Sequence, residues 1–201
     1  MSPQETESGF VGQAIISAET QLKTWINAET PEVRVIAVYG MPGVGKTTLL
    51  ERVYKFYKHT NFFDSVIRLT VSRNYEIRDL QGRIAKKINL NLSGISDRDA
   101  DTPKRKLSKS LKRKNFLLIL DDIWSAVNLE ELGVAFGTDK GSKVVFSTRQ
   151  RDLALRETEQ SINVESLSKG EGWELFERVA FKGGHVREEL QECARKIADK
   201  C

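Results

Sequence analysis

Gly40-Met41-Pro42-Gly43-Val44-Gly45-Lys46-Thr47 is the stretch that decides the fold. It satisfies G-x-x-x-x-G-K-[ST], and its setting is the one that pattern requires: a nearly continuous apolar run at 33–39 before it and a helical pattern at 46–57 after it. Glycines here let backbone N–H groups turn inward around an anion, where side chains would block the approach and some φ values suit glycine alone. The helix that follows aims its N-terminus at the same anion. Lys46 adds a point charge for β- and γ-phosphates, and Thr47 offers a hydroxyl to Mg²⁺, with Thr48 beside it. The apolar run before the loop suits a strand buried on both faces of a parallel sheet.

Outward from the loop the same alternation recurs. Residues 65–71 read as a second strand, and 76–88 as a helix in which Leu80, Ile84 and Ile88 recur at helical spacing. A polar break at 91–103 leads to a short basic helix, then to strands at 116–120, 143–147 and, briefly, 161–164. Upstream, the segment 9–30 carries a helix at 12–27 with Ile15, Ile16, Leu22, Trp25 and Ile26 roughly on one face. Strands alternating with helices predict parallel βαβ units, an α/β fold of the P-loop NTPase type. After Leu167 the character changes, for 173–181 and 188–200 are helical with no strand between them. The expected division is therefore a nucleotide-binding domain over 1–166 and the start of a helical subdomain over 167–201. The chain stops at Cys201 without a capping residue, which reads as an interruption inside that subdomain.

The third strand delivers Asp121 and Asp122 at its C-terminal end. These are the catalytic candidates: Asp121 is expected to reach the Mg²⁺ shell with Thr47, and Asp122 to polarise a water. The competing reading has the two carboxylates capping the next helix. The fourth strand ends in Thr148-Arg149, and if that strand lies near the first, Arg149 can reach the γ-phosphate.

Composition sets the outer bounds. The 201 residues are 39% hydrophobic and 30% charged, a globular balance, and 32 basic against 28 acidic residues leave a net charge of +4. A nucleic-acid partner is permitted by that charge but not required. No apolar run approaches the ~20 residues of a membrane helix, and the first ten residues lack the features of a signal peptide, so a cytoplasmic location is expected. Cys193 and Cys201 suit neither a CxxC motif nor a zinc site and read as reduced thiols. In the basic stretch 104–114 (KRKLSKSLKRK), Leu107 and Leu111 share a face, which predicts an amphipathic helix with a solvated basic side. His59 and His185 have no partners at ligand spacing and read as surface residues, whereas Trp25 and Trp173 are expected in the core. Thr138-Asp139-Lys140-Gly141 lacks the pattern of a guanine reader, so adenine is favoured.

With these pieces in order the chain resembles the nucleotide-binding (NB-ARC) domain of plant intracellular NLR immune receptors, within the STAND class of P-loop ATPases. GMPGVGKTTLL (40–50) is similar to that family's P-loop, FDSVIRLTVS (63–72) to its second-strand block, and FLLILDDIW (116–124) to its kinase-2 block. GSKVVFSTR (141–149) resembles the sensor strand, and VESLSKGEGWELFERVAF (164–181) the block opening the ARC helices. Trp124 resembles the coiled-coil-type receptors rather than the TIR type, and Val11-Gly12 resembles the motif whose backbone contacts the adenine. The resemblance implies a switch that is ADP-bound at rest and ATP-bound and oligomeric when activated, with slow hydrolysis at most. It also implies other receptor domains as partners in cis. Arg68 departs from the family, standing where many relatives carry Trp on the outer face of that strand. The GLPL motif that should follow a helix like CARKIADKC, and the later MHD motif, are not in the sequence. Two other classes compete: an ATPase or phosphotransferase with sustained turnover, and a nucleic-acid-dependent ATPase using the 104–114 helix.

Overall fold

The computed structural model describes residues 12–28, 32–94, 101–137, 141–181 and 195–196. Strands β1 (Val35–Tyr39), β2 (Ser65–Thr70), β3 (Phe116–Ile123), β4 (Lys143–Thr148) and β5 (Gln160–Asn163) form a sheet in the order β2-β3-β4-β1-β5. Every pairing is parallel. Helices α1 (Gln13–Asn27) and α2 (Lys46–Lys58) lie on one face. The other face is covered by α3 (Ile77–Lys87), α4 (Asp101–Leu111), α5 (Leu129–Leu132) and α6 (Arg151–Arg156), and α7 (Lys169–Phe181) follows β5.

Side chains on a strand alternate between faces, and this splits the core into two layers. Ile36, Val38, Leu117, Ile119 and Val145 enter the layer closed by Leu22 and Ile26 of α1 and Leu49, Leu50 and Val53 of α2. Ala37, Leu118, Leu120, Val144 and Phe146 enter the layer closed by Leu80, Ile84, Leu107, Leu111, Leu132 and Leu153. Because both faces are covered, β1 and β4 are apolar at successive positions, as a buried parallel strand requires. Each fully buried Leu or Ile contributes about 1.5–3 kcal/mol relative to exposure. Polar contacts fix α1 on α2: Arg52 meets Glu19 at 3.0 Å, and the Tyr57 hydroxyl donates to Asn27 Oδ1 at 2.7 Å.

The structure departs from the sequence reading in several places. β3 does not end at Leu120 but runs through both aspartates to Ile123, since Asp121 finds internal partners that let a carboxylate stay in a buried strand. Helix α4 begins at Asp101, so Pro103 lies inside the expected polar break and in the first turn, where its missing N–H costs nothing. Its basic side is solvated as expected, with Leu107 and Leu111 buried. The short helices α5 and α6 were not expected, and β5 sits one residue earlier than 161–164. Trp25 packs partly buried against the α1–α2 layer, but Trp173 is not in the core: α7 buries none of its residues, and the indole stacks on Phe176 at 5.9 Å. Val11, His185, Cys193 and Cys201 lie outside the described residues, as does the expected helix at 188–200 except for 195–196, which are helical. Among the described residues no helix is long and apolar enough to cross a membrane.

Candidate functional site

The loop leaves β1 at Tyr39, whose carbonyl accepts from Val164 N at 2.8 Å. That bond pins the chain just after β5 against the loop, and Gly40 is where the two backbones meet. A Cβ there would lie 2.4 Å from the Val164 carbonyl oxygen, on a residue whose φ is +151°. Met41, Pro42 and Gly43 are exposed, Val44 packs against the α1–α2 layer, and Gly45 precedes the first residue of α2. Lys46 is 7% exposed, and its Nζ donates to the carbonyls of Gly40 at 2.8 Å and Met41 at 2.7 Å. Burial, and then the charge of Arg149, hold its pKa below the ordinary lysine range, while Asp122 and Asp121 oppose that shift. The ammonium is thus held within the loop by neutral carbonyls, ligands it can exchange for phosphate oxygens. Thr47 and Thr48 follow it, exposed in the first turn.

The acidic end of the site is built on β3 and β4. Asp121 is 1% exposed. Its Oδ1 accepts from Ser147 Oγ at 2.6 Å and from Thr47 Oγ1 at 3.3 Å, and its Oδ2 accepts from Arg68 Nη2 at 3.0 Å. Asp122 adopts a left-handed backbone, φ +61°, where the β3–β4 register shifts between Leu120 and Ile123. Its N–H donates to Ser147 Oγ at 2.8 Å, and its Oδ1 accepts from Arg149 Nε at 3.2 Å. The Arg149 guanidinium also lies over the Trp124 ring, 4.8 Å from its centre, and Arg73 stands over the same ring at 4.9 Å. The capping alternative fails, because α5 is capped by Asn128, whose side chain accepts from Glu131 N at 2.9 Å. β4 does lie beside β1, as the reach of Arg149 required.

Two residues of this cluster were missed from sequence. Ser147 joins the two aspartates, and the signal for it was strand alternation, which puts Val145 and the serine on the same face. Arg68, read as an outer-face departure, points inward: its guanidinium bridges Asp121 and Glu51 of α2. Alternation again carried the signal, since Ile67 and Leu69 enter the opposite layer.

At the other end, Gly12 has φ +110°, and a Cβ on it would lie 2.4 Å from Leu167 Cδ2. Gln13 N, the first of α1, donates to Glu171 Oε1 at 2.8 Å. The second oxygen of Glu171 accepts from Ser168 N at 2.8 Å and Ser168 Oγ at 2.7 Å, which closes a capping box at the start of α7. The Ser168 hydroxyl, then the backbone N–H groups of Ser168 and Gln13, hold the Glu171 carboxyl below its ordinary pKa.

Magnesium fits these donors. Thr47 Oγ1 and Asp121 Oδ1 are hard oxygens 3.3 Å apart beside the loop, and Mg²⁺ takes few protein ligands, completing its shell with phosphates and water. Among the described residues no group of three or more His, Cys, Asp or Glu could hold a metal ion.

The model of the NB-ARC domain family matches residues 18–185. Disease resistance protein SUMM2 of Arabidopsis thaliana is 37% identical over 194 residues, covering 93% of this chain and 22% of that protein. The chain therefore spans about a fifth of the length of the curated relatives it matches. Among solved structures, Cdc6p from Pyrobaculum aerophilum superposes with a TM-score of 0.64 at 19% identity, covering 98% of this chain and 57% of that one. The Signal Transduction ATPase with Numerous Domains protein with a tetratricopeptide repeat sensor from Pyrococcus horikoshii superposes with a TM-score of 0.54 at 19% identity, covering 98% of this chain and 30% of that one. At those identities the likeness is one of fold.

Proposed function

The chain belongs to the NB-ARC family, and on that premise we propose that it is the ADP/ATP-binding switch segment of an intracellular plant immune receptor that signals in defence. The observation that carries this reading is Lys46, buried against the carbonyls of Gly40 and Met41 at the same C-terminal end of the sheet as Asp121, Asp122 and Arg149. A cation held in that way, at a strand–loop–helix junction, is suited to phosphate oxygens. The similarity to disease resistance proteins supplies the biological setting.

Residues 40–48 cradle the phosphates, and Gly12, with Val11, offers backbone to the adenine. Arg149, now paired with Asp122, is the group that turns to a γ-phosphate, which converts nucleotide identity into a change of ion pair. Asp122 polarises the water of a slow hydrolysis that resets the switch. Bound with the nucleotide, Mg²⁺ would be held by Thr47 and Asp121 and would neutralise phosphate charge. The domain partition follows the same reading, with 1–166 as the nucleotide domain and 167–201 as the beginning of a helical ARC subdomain. Other receptor domains, and further copies in the ATP-bound state, are the partners. Leu175 and Val179 of α7, 38% and 67% exposed, are apolar surface suited to such packing.

The test is to denature the purified protein and identify co-purified nucleotide in wild type and Lys46→Ala. Stoichiometric ADP lost in the variant is the expected result. Holding ADP at ~100 times its Kd stabilises the fold by about 2.7 kcal/mol, so a melting curve reads the same event. A wild type that carries no nucleotide, and melts identically with and without added ADP and ATP, refutes the reading.

A further inference from the structure

Arg68 places a fixed cation beside the acid proposed above to hold Mg²⁺. Its Nη2 donates to Asp121 Oδ2 at 3.0 Å, and its Nη1 to Glu51 of α2, which Lys55 also approaches at 3.4 Å. The Asp121 side chain is 2% exposed, and its other oxygen is taken by Ser147 and Thr47. Removing the partner of a buried charge leaves it uncompensated, a costly state. Here the partner is covalently part of the chain. The Arg68 side chain is itself 21% exposed, and among the described residues its buried Nε has no hydrogen-bond partner, so its two carboxylates are the contacts that orient it.

We propose that Arg68 is a positioning residue that acts as a built-in counter-cation for Asp121, so that this chain retains a nucleoside diphosphate almost independently of divalent metal. Without metal the carboxylate remains neutralised and cannot repel the diphosphate. With metal the ion must share Asp121 with a guanidinium of like charge that already holds Oδ2, which cuts the gain from binding it. The inference rests on the nucleotide site proposed above and deepens it, assigning the metal dependence of that site to one residue.

The experiment is calorimetric titration of ADP into nucleotide-stripped protein, in EDTA and in excess MgCl₂. Wild type should show affinities within about threefold of each other. In Arg68→Met, which keeps an apolar stem and removes the charge, the Mg²⁺-to-EDTA ratio should rise by about tenfold or more. Arg68→Lys keeps a cation and should stay close to the wild-type ratio. In parallel, Mg²⁺ should raise the melting temperature of ADP-loaded Arg68→Met more than that of loaded wild type. Equal ratios in wild type and Arg68→Met, with ADP bound by both, overturn the role of Arg68. If the Met variant fails to fold, wild type alone decides: a loss of tenfold or more in EDTA overturns the proposal. Failure of wild type to bind ADP under either condition defeats the nucleotide site itself and this inference with it.

Discussion

Replacing Ser147 with alanine should destabilise the protein far more than the loss of one surface hydroxyl. The Oγ donates to the buried Asp121 carboxylate at 2.6 Å and accepts from Asp122 N at 2.8 Å. A hydrogen bond to a charged group contributes about 1.5–3 kcal/mol, and a neutral one about 1 kcal/mol. Alanine fills nearly the same space, so no cavity is added, and the sum is about 3 kcal/mol. For a chain of this size each kcal/mol moves Tm by roughly 2–4 °C, which puts the loss near 6–12 °C. Urea unfolding with an unchanged m-value would assign the change to stability rather than to compactness. A cycle with Asp121→Ala tests the cause, because the two losses should overlap by about 1 kcal/mol or more. A Ser147→Ala protein within about 0.5 kcal/mol of wild type, or strictly additive losses in the cycle, would refute the hydroxyl as the joint between the two acids.

Burial pushes the Tyr57 phenol up to about 12 from an ordinary 10.0, so the folded state favours its neutral form. That contribution is complete below pH 10 and lost as pH rises from about 10 to 12; alkaline melting of Tyr57→Phe should lack this component, while costing about 1 kcal/mol at neutral pH through Asn27. Glu171 has a lowered pKa in the fold, so its contribution is present at neutral pH and lost as pH falls through the acid range toward the folded value. Melting of Glu171→Gln should therefore depend less on pH on the acid side than wild type, and equal acid limbs would count against the capping role.

The parts of the fold legible in sequence were those written by a uniform environment. β1, β4 and the first half of β3 are covered on both faces, so their apolar runs could be read directly. Helices α5 and α6 are too short, at 4 and 6 residues, to complete a periodic stripe. The loop, Lys46 and the two aspartates could be picked out because the phosphate-binding pattern prescribes particular residue types in a particular order, and the structure brings them to one end of the sheet. Ser147 and Arg68 were not, since polar residues in a strand normally mark its solvated side. Alternation gives the face each side chain takes, but what it meets there depends on which strand lies next to which, and that is a property of topology. The left-handed turn at Asp122 was likewise hidden, since nothing in Leu-Asp-Asp-Ile states where a register shift will fall. Trp173 misled by composition: an indole on a helix suggests burial, but α7 buries none of its residues.

The strand order has one more consequence. β4 lies between β1, which carries the loop, and β3, which carries the acids, and neighbouring strands are roughly 4.8 Å apart. The two strands therefore stand about 10 Å apart, like the jaws of a caliper with residues 147–149 as the scale between them, and the Thr47 hydroxyl closes on Asp121 at 3.3 Å. On the proposed function, a γ-phosphate that reaches past β1 would meet the end of β4, where Arg149 stands paired with Asp122.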